Sequence, residues 1–127
     1  MSNAMIKVDK RASSAKHWRW MPGMLAMRPL GGGITSWLRA IAIEGGWLYY
    51  GGGRRILLDG LTPDLTDPAT LGCLLALVRE AWGRLGINTK RHPVLGWIVK
   101  DGAEDFLKPV ACDTEAEALV AALEAAP

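Results

Sequence analysis

The chain is poor in several residue types that carry chemistry. It has one phenylalanine, two histidines and only two cysteines, Cys73 and Cys112. Two cysteines far apart build no disulfide framework, and without a CxxC pair there is neither a zinc-knuckle nor a dithiol redox signature. His17 and His92 stand in different loops and no HExxH pattern exists, so no metal is expected. No stretch approaches the roughly 18 consecutive apolar residues that span a bilayer. Residues 1–30 place basic residues before apolar ones in the manner of an export signal, but Pro22, Gly23, Arg28 and Pro29 interrupt the apolar part. A cytoplasmic protein with reduced thiols is therefore the expectation. A large charge excess is missing too: 15 Lys/Arg face 13 Asp/Glu, a net +2.

Apolar residues and turn formers are abundant. Half of the 127 residues are hydrophobic, which suffices for the core of one domain, and 15 glycines with seven prolines imply many turns. The charges are unevenly distributed. Residues 1–55 hold nine Lys/Arg against Asp9 and Glu44, whereas residues 56–127 hold six against eleven Asp/Glu. Such asymmetry makes either a basic surface for an anionic partner or two halves that attract each other.

Residues 67–83 form the clearest element. Asp67 is a helix cap, Pro68 occupies the first helical position, and Gly83 is a stop. Leu71, Leu74, Leu75, Val78 and Trp82 recur at helical spacing and predict a stripe that packs on strands earlier in the chain. A second helix is predicted over Thr114–Ala126, where Thr114 and Glu117 form a capping box and Leu119, Val120 and Leu123 a narrow apolar stripe. Residues 1–16 are polar and basic, and Ser2-Asn3-Ala4 before Met5 reads as the scar of a cleaved tag in residues 1–4. A flexible basic tail is expected there, with a short helix over Lys10–His17 as the alternative.

Between these elements the pattern is that of short strands. His17–Met21 alternates with Trp18 and Trp20 on one face, Pro22-Gly23 turns, and Met24–Arg28 returns. Trp37–Ile43 and Trp47–Tyr50 flank Glu44-Gly45-Gly46 as a hairpin, although Thr35 or Ser36 could instead cap a short helix. Arg54–Leu58 is a further strand, Gly86–Pro93 a polar connection, Val94–Val99 a strand, and Phe106–Ala111 a segment that pairs back. The predicted fold class is α+β: an antiparallel meander of short strands packed against a long central helix and a C-terminal helix, with residues 17–126 as a single domain.

No motif points to catalysis. GGGITSW and GGGRRIL lack the P-loop spacing, and their glycines serve hairpin ends. Asp59, Asp64 and Asp67 gather in one loop, but turn formation and capping account for them better than a bound cation. Cys73 lies in an apolar helix, where inert packing is expected, and Cys112 beside Asp113 is expected to be exposed. No catalytic residue, cofactor or metal site is assigned.

Six tryptophans are many for this length. A protein partner or self-association, including a homodimer, would use Trp18, Trp20, Trp37, Trp47, Tyr49 and Tyr50 if the sheet leaves one face uncovered, whereas in a closed monomer they fill the core. Binding of nucleic acid is the alternative, with contacts at Lys16, Arg19, Arg54 and Arg55, because single-strand binders interleave stacking rings with cations. No membrane partner is expected.

The segment Pro63–Gly83, with Trp20–Met24 and Glu115–Pro127, resembles small uncharacterised bacterial prophage-encoded proteins. That resemblance implies an accessory or interaction role in place of metabolic catalysis, and it supplies no site residue.

Overall fold

In the computed structural model the N-terminal segment is helical, not a tail: α1 runs from Asn3 to Ser14. Val8 and Ala12, four residues apart on one face, are buried, so this basic segment forms a helix because it has an apolar seam to cover. The structure describes residues 3–94, 96–102, 104–105 and 112–127, with the side chains of 3–7 and 104–105 left aside; the expected return of Phe106–Ala111 lies outside the described residues. The chain is α+β with antiparallel strands. It divides into two compact units, residues 19–73 and residues 1–18 with 74–127.

The unit of residues 19–73 is a ribbon of short strands. His17–Met21 does not join it as a strand but runs as turn and coil, and Trp20 packs on the core cluster. Strands β1 (Leu25–Gly31) and β2 (Ile34–Arg39) form a hairpin around the glycine turn, while β3 (Ala42–Glu44), β4 (Trp47–Tyr50) and β5 (Arg54–Leu57) form a second sheet. Gly45 and Gly46 both have positive φ, the two-residue turn whose twist matches the flanking strands, which explains the glycine pair. A short β6 (Thr62–Pro63) returns to pair with β1. The core of this unit is made of small and medium residues, Ala26, Ala40, Leu48 and Leu61, with Trp20, Leu38, Ile43, Tyr50, Ile56 and Leu58 packed around them.

Helix α2 (Pro68–Trp82) begins as the sequence predicts. The Asp67 carboxylate accepts from the Thr70 backbone N–H at 2.9 Å, and the Asp67 carbonyl takes the first helical bond from Leu71. Gly83 ends the helix with φ of 65°. Its fully buried residues are Thr70, Leu74, Leu77 and Val78, so Leu77 and Thr70 belong to the stripe in place of the half-buried Leu71 and Leu75. The division between the units falls inside this helix, and Trp82 is tied to the later part of the chain: its indole N–H donates to the Ala122 carbonyl at 2.8 Å.

The other unit adds a sheet of β7 (Ile87–His92), β8 (Gly96–Asp101) and β9 (Glu104–Asp105), then α3 (Glu115–Ala125). The segment expected as a polar connection is thus strand β7, paired along its whole length with β8. It buries only Ile87 completely, so its composition reads as loop even though its backbone is satisfied by the ladder. Helix α3 starts at the predicted capping box, where Thr114 Oγ1 accepts from Glu117 N–H at 3.1 Å. Its buried surface is wider than the predicted stripe. Ala116, Ala118 and Ala122 are buried with Leu119, Val120 and Leu123, because α1 packs on this helix as well as β7 and β8. Among the described residues no helix is long and apolar enough to cross a membrane.

Candidate interaction face

Side-chain alternation along the ribbon decides which aromatic residues can meet a partner. Leu38, Ala40, Ile43, Leu48, Tyr50 and Ile56 face the core, so their neighbours point away from it. Strict alternation would turn the ribbon inside out between β2 and β3. A local irregularity prevents this: Ile41 N–H donates to the Tyr49 carbonyl at 2.8 Å, while Ala42 is the residue in register with Tyr49. Two residues opposite one is the geometry of a β-bulge, and it sends Ile41 and Ala42 outward together while keeping Ala40 and Ile43 inside.

Cross-strand register then assembles the outer face. Glu44, Trp47 and Leu57 lie in one row, and Ala42, Tyr49 and Arg55 in the next. Arg55 crosses between the rows and places its guanidinium 4.1 Å from the centre of the Trp47 ring. This cation–π contact holds a long side chain that would otherwise sample many rotamers. On β2, Trp37 leaves the ribbon opposite Met27 on the side away from Leu38. Trp37, Ile41 and Leu57 are 52 %, 64 % and 53 % exposed, although each is large and apolar.

The residues singled out from sequence therefore separate. Trp47 and Tyr49 lie on the outer side of the second sheet with Arg55, and Trp37 turns away from the core on the first sheet. Trp20 does not belong to a binding face, since it covers the small-residue core, and Tyr50 packs there too. Trp18 and Lys16 belong to the other compact unit. Arg19 is exposed in the coil before β1, and Arg54 is exposed at the start of β5 in register with Tyr50. Sequence reasoning missed Ile41 and Leu57, because only the bulge and the register reveal that they point outward.

Arg39, also outward, is neutralised. Its guanidinium grips Asp67 through two bonds of 2.6 and 2.9 Å and also donates to the Gly23 carbonyl. The Arg39 guanidinium first, and then the Thr70 backbone and hydroxyl donors, outweigh partial burial and hold the Asp67 carboxyl down at about 2. Asp64 is engaged as well, accepting from the backbone and hydroxyl of Thr66. Asp67 thus caps the start of α2 and Asp64 braces the turn before it, and among the described residues no group of three or more His, Cys, Asp and Glu is placed to hold a metal ion.

The thiols differ from expectation in both directions. Cys73 is half-buried and Cys112, expected at the surface, is buried. Burial pushes both thiols above their ordinary pKa, which leaves them protonated and poorly nucleophilic near neutral pH. A cleft of about 180 Å³ lined by His17, Leu77, Glu80 and Ala81 lies elsewhere, in the unit that contains α1 and α3. The His17 ring bonds the Pro127 carbonyl at 2.7 Å.

The charge asymmetry of the sequence resolves in three dimensions. Arg11 pairs with Glu124 and Arg39 with Asp67, each joining a cation of the first half to a carboxylate of the second. Residues 19–73 hold five Lys/Arg against four Asp/Glu, and the other unit ten against nine. Mutual attraction within the fold thus takes up Arg11 and Arg39, two of the nine cations of the basic first half.

No known protein family, curated protein or solved structure matches the chain.

Proposed function

We propose that this protein is a non-catalytic, cytoplasmic accessory module that binds another polypeptide through the outer face of residues 37–57. The observation that carries this is the exposure of Ile41 and Leu57 beside the Trp47–Arg55 stack, with Trp37 exposed on the preceding strand β2. Interface cores are enriched in tryptophan, tyrosine and arginine, the residue types this face displays. The prophage resemblance points the same way, toward an accessory part. A benzoylphenylalanine installed at position 37 should crosslink one defined polypeptide, and installed at the exposed Arg19 it should not. Identical patterns at both positions, or no crosslink at 37, defeat the proposal. The mass of the adduct shows whether that polypeptide is a second copy.

Nucleic-acid binding is the second reading, favoured by Arg55 on the Trp47 ring. Against it stand Glu44 in the same row as Trp47 and the near-neutral charge of the unit. If phosphates were neutralised, retention of oligo(dT) would weaken steeply with salt; no retention at low salt removes this reading.

A further inference from the structure

The edge of the second sheet gives the face described above a more specific use. Strand β5 pairs with β4 on one side, and among the described residues no other strand pairs with it. Leu58 N–H points toward β4, donating to the Gly46 carbonyl at 3.0 Å. Because backbone groups alternate along a strand, those of Arg55 and Leu57 point the other way, to the open edge. The same two residues carry their side chains on the outer face, in register with Tyr49 and Trp47. Backbone donors and acceptors that no described strand takes up therefore coincide with one cationic and one apolar side chain, two positions apart.

We propose, resting on the interaction reading above, that β5 takes up an extended peptide segment of the partner as an added antiparallel strand. In that register the segment sets an apolar side chain against Leu57 and, two residues later in its own direction, an aspartate or glutamate against Arg55. Main-chain bonds supply attachment, and alternate side chains supply selectivity. Among the described residues neither Arg54 nor Arg55 is in an ion pair, so the edge has positive charge to offer. The Arg55 guanidinium rests on the ring of Trp47, a residue of β4, and on docking swings its planar fork to the open edge to meet the carboxylate. A nucleic-acid strand fits less well. It carries a phosphate at every nucleotide and wants a track of cations, whereas Arg39 is already taken by Asp67 and Glu44 adds a negative charge.

Arginine at a sheet edge can also serve only to keep two copies from pairing there. A selection from a random 12-residue peptide library on the intact protein separates these uses. Enriched peptides should share an apolar residue followed two positions later by Asp or Glu. The tightest one, measured by fluorescence polarisation, should weaken about two- to fivefold against Arg55→Gln, the scale of a lost cross-strand charge pair. N-methylation of that peptide should abolish binding at alternate residues only. Enrichment without acidic bias, or no loss with Arg55→Gln, overturns the edge proposal while leaving the crosslink at position 37 intact. Competition by oligo(dT) transfers the face to nucleic acid and overturns it too. So does an absence of enriched peptides together with concentration-dependent association of an Arg54→Ser, Arg55→Ser variant, which would assign the arginines to edge protection alone.

Discussion

The two compact units differ in how fully they bury what they have. In the unit with α1 and α3, Leu74, Leu77, Ile87, Leu119 and Leu123 are fully buried together with Ala12 and Ala122, and among the described residues its exposed large apolar side chains, Leu85 and Val94, stand singly in loops. In the ribbon unit Met24, Leu48 and Leu65 are fully buried and two of the four buried residues of the core cluster are alanines, while Leu30, Ile34, Trp37, Ile41 and Leu57 are exposed. A region that leaves five large apolar side chains in water gives up burial that they could supply.

The sharpest test of that contrast is a pair of core truncations. Leu119→Ala in α3 removes a fully buried side chain and should cost about 2–5 kcal/mol in urea unfolding. Leu48→Ala in the ribbon makes the same truncation at a fully buried side chain, and a loss of about 2 kcal/mol is expected because half of the buried cluster it belongs to is alanine. Equal losses would break the claim that the units differ in how much their cores contribute.

Local signals survived from sequence to structure wherever one stretch carries its own instructions. The Asp67-Pro68 start of α2, the Thr114–Glu117 capping box and the Gly45-Gly46 hairpin are all of this kind. Elements whose reason lies elsewhere in the chain were illegible. Strand β7 is polar because β8 pairs with it and little else is asked of it; α1 forms where Val8 and Ala12 are covered. The outer face of the ribbon was half legible. Trp37, Trp47 and Tyr49 stood out by composition, but Trp20 belongs to the core, and only the bulge at Ile41-Ala42 shows which side each residue takes.

A smaller effect tests how the ribbon is anchored to the start of α2. Asp67 has its carboxyl lowered to about 2 by Arg39 and Thr70, against 3.8 for an unperturbed group. A group whose folded pKa is depressed contributes stability that is complete above the unfolded value and is lost as pH falls through the folded one. Unfolding stability should therefore decline between about pH 5 and pH 2. Asp67→Asn keeps a competent cap and should flatten that decline; Asp67→Ala should in addition lose about 1 kcal/mol at neutral pH. An unchanged acid limb in Asp67→Asn would show that the pair with Arg39 adds nothing. The other cap is free of such a partner, and Thr114→Ala should cost about 0.5–2 kcal/mol without altering the pH profile.

The smallest effect on stability decides most about function. Trp37→Ser removes a half-exposed ring that faces away from the core and pairs with Met27 across the strand, so the free energy of unfolding should fall by only about 1 kcal/mol. A tryptophan retained for packing would behave otherwise, because truncating a buried ring costs about 3–5 kcal/mol. Trp20 supplies that internal contrast: Trp20→Ser strips cover from Ala26, Ala40 and Leu48 and should destabilise clearly. If Trp37→Ser destabilises as strongly as Trp20→Ser, the ring at 37 is structural and the ribbon hides its aromatics as the other unit hides its leucines. A stable Trp37→Ser variant that loses its polypeptide partner would instead tie that exposed ring to binding, which is the only return the fold gets for leaving it in water.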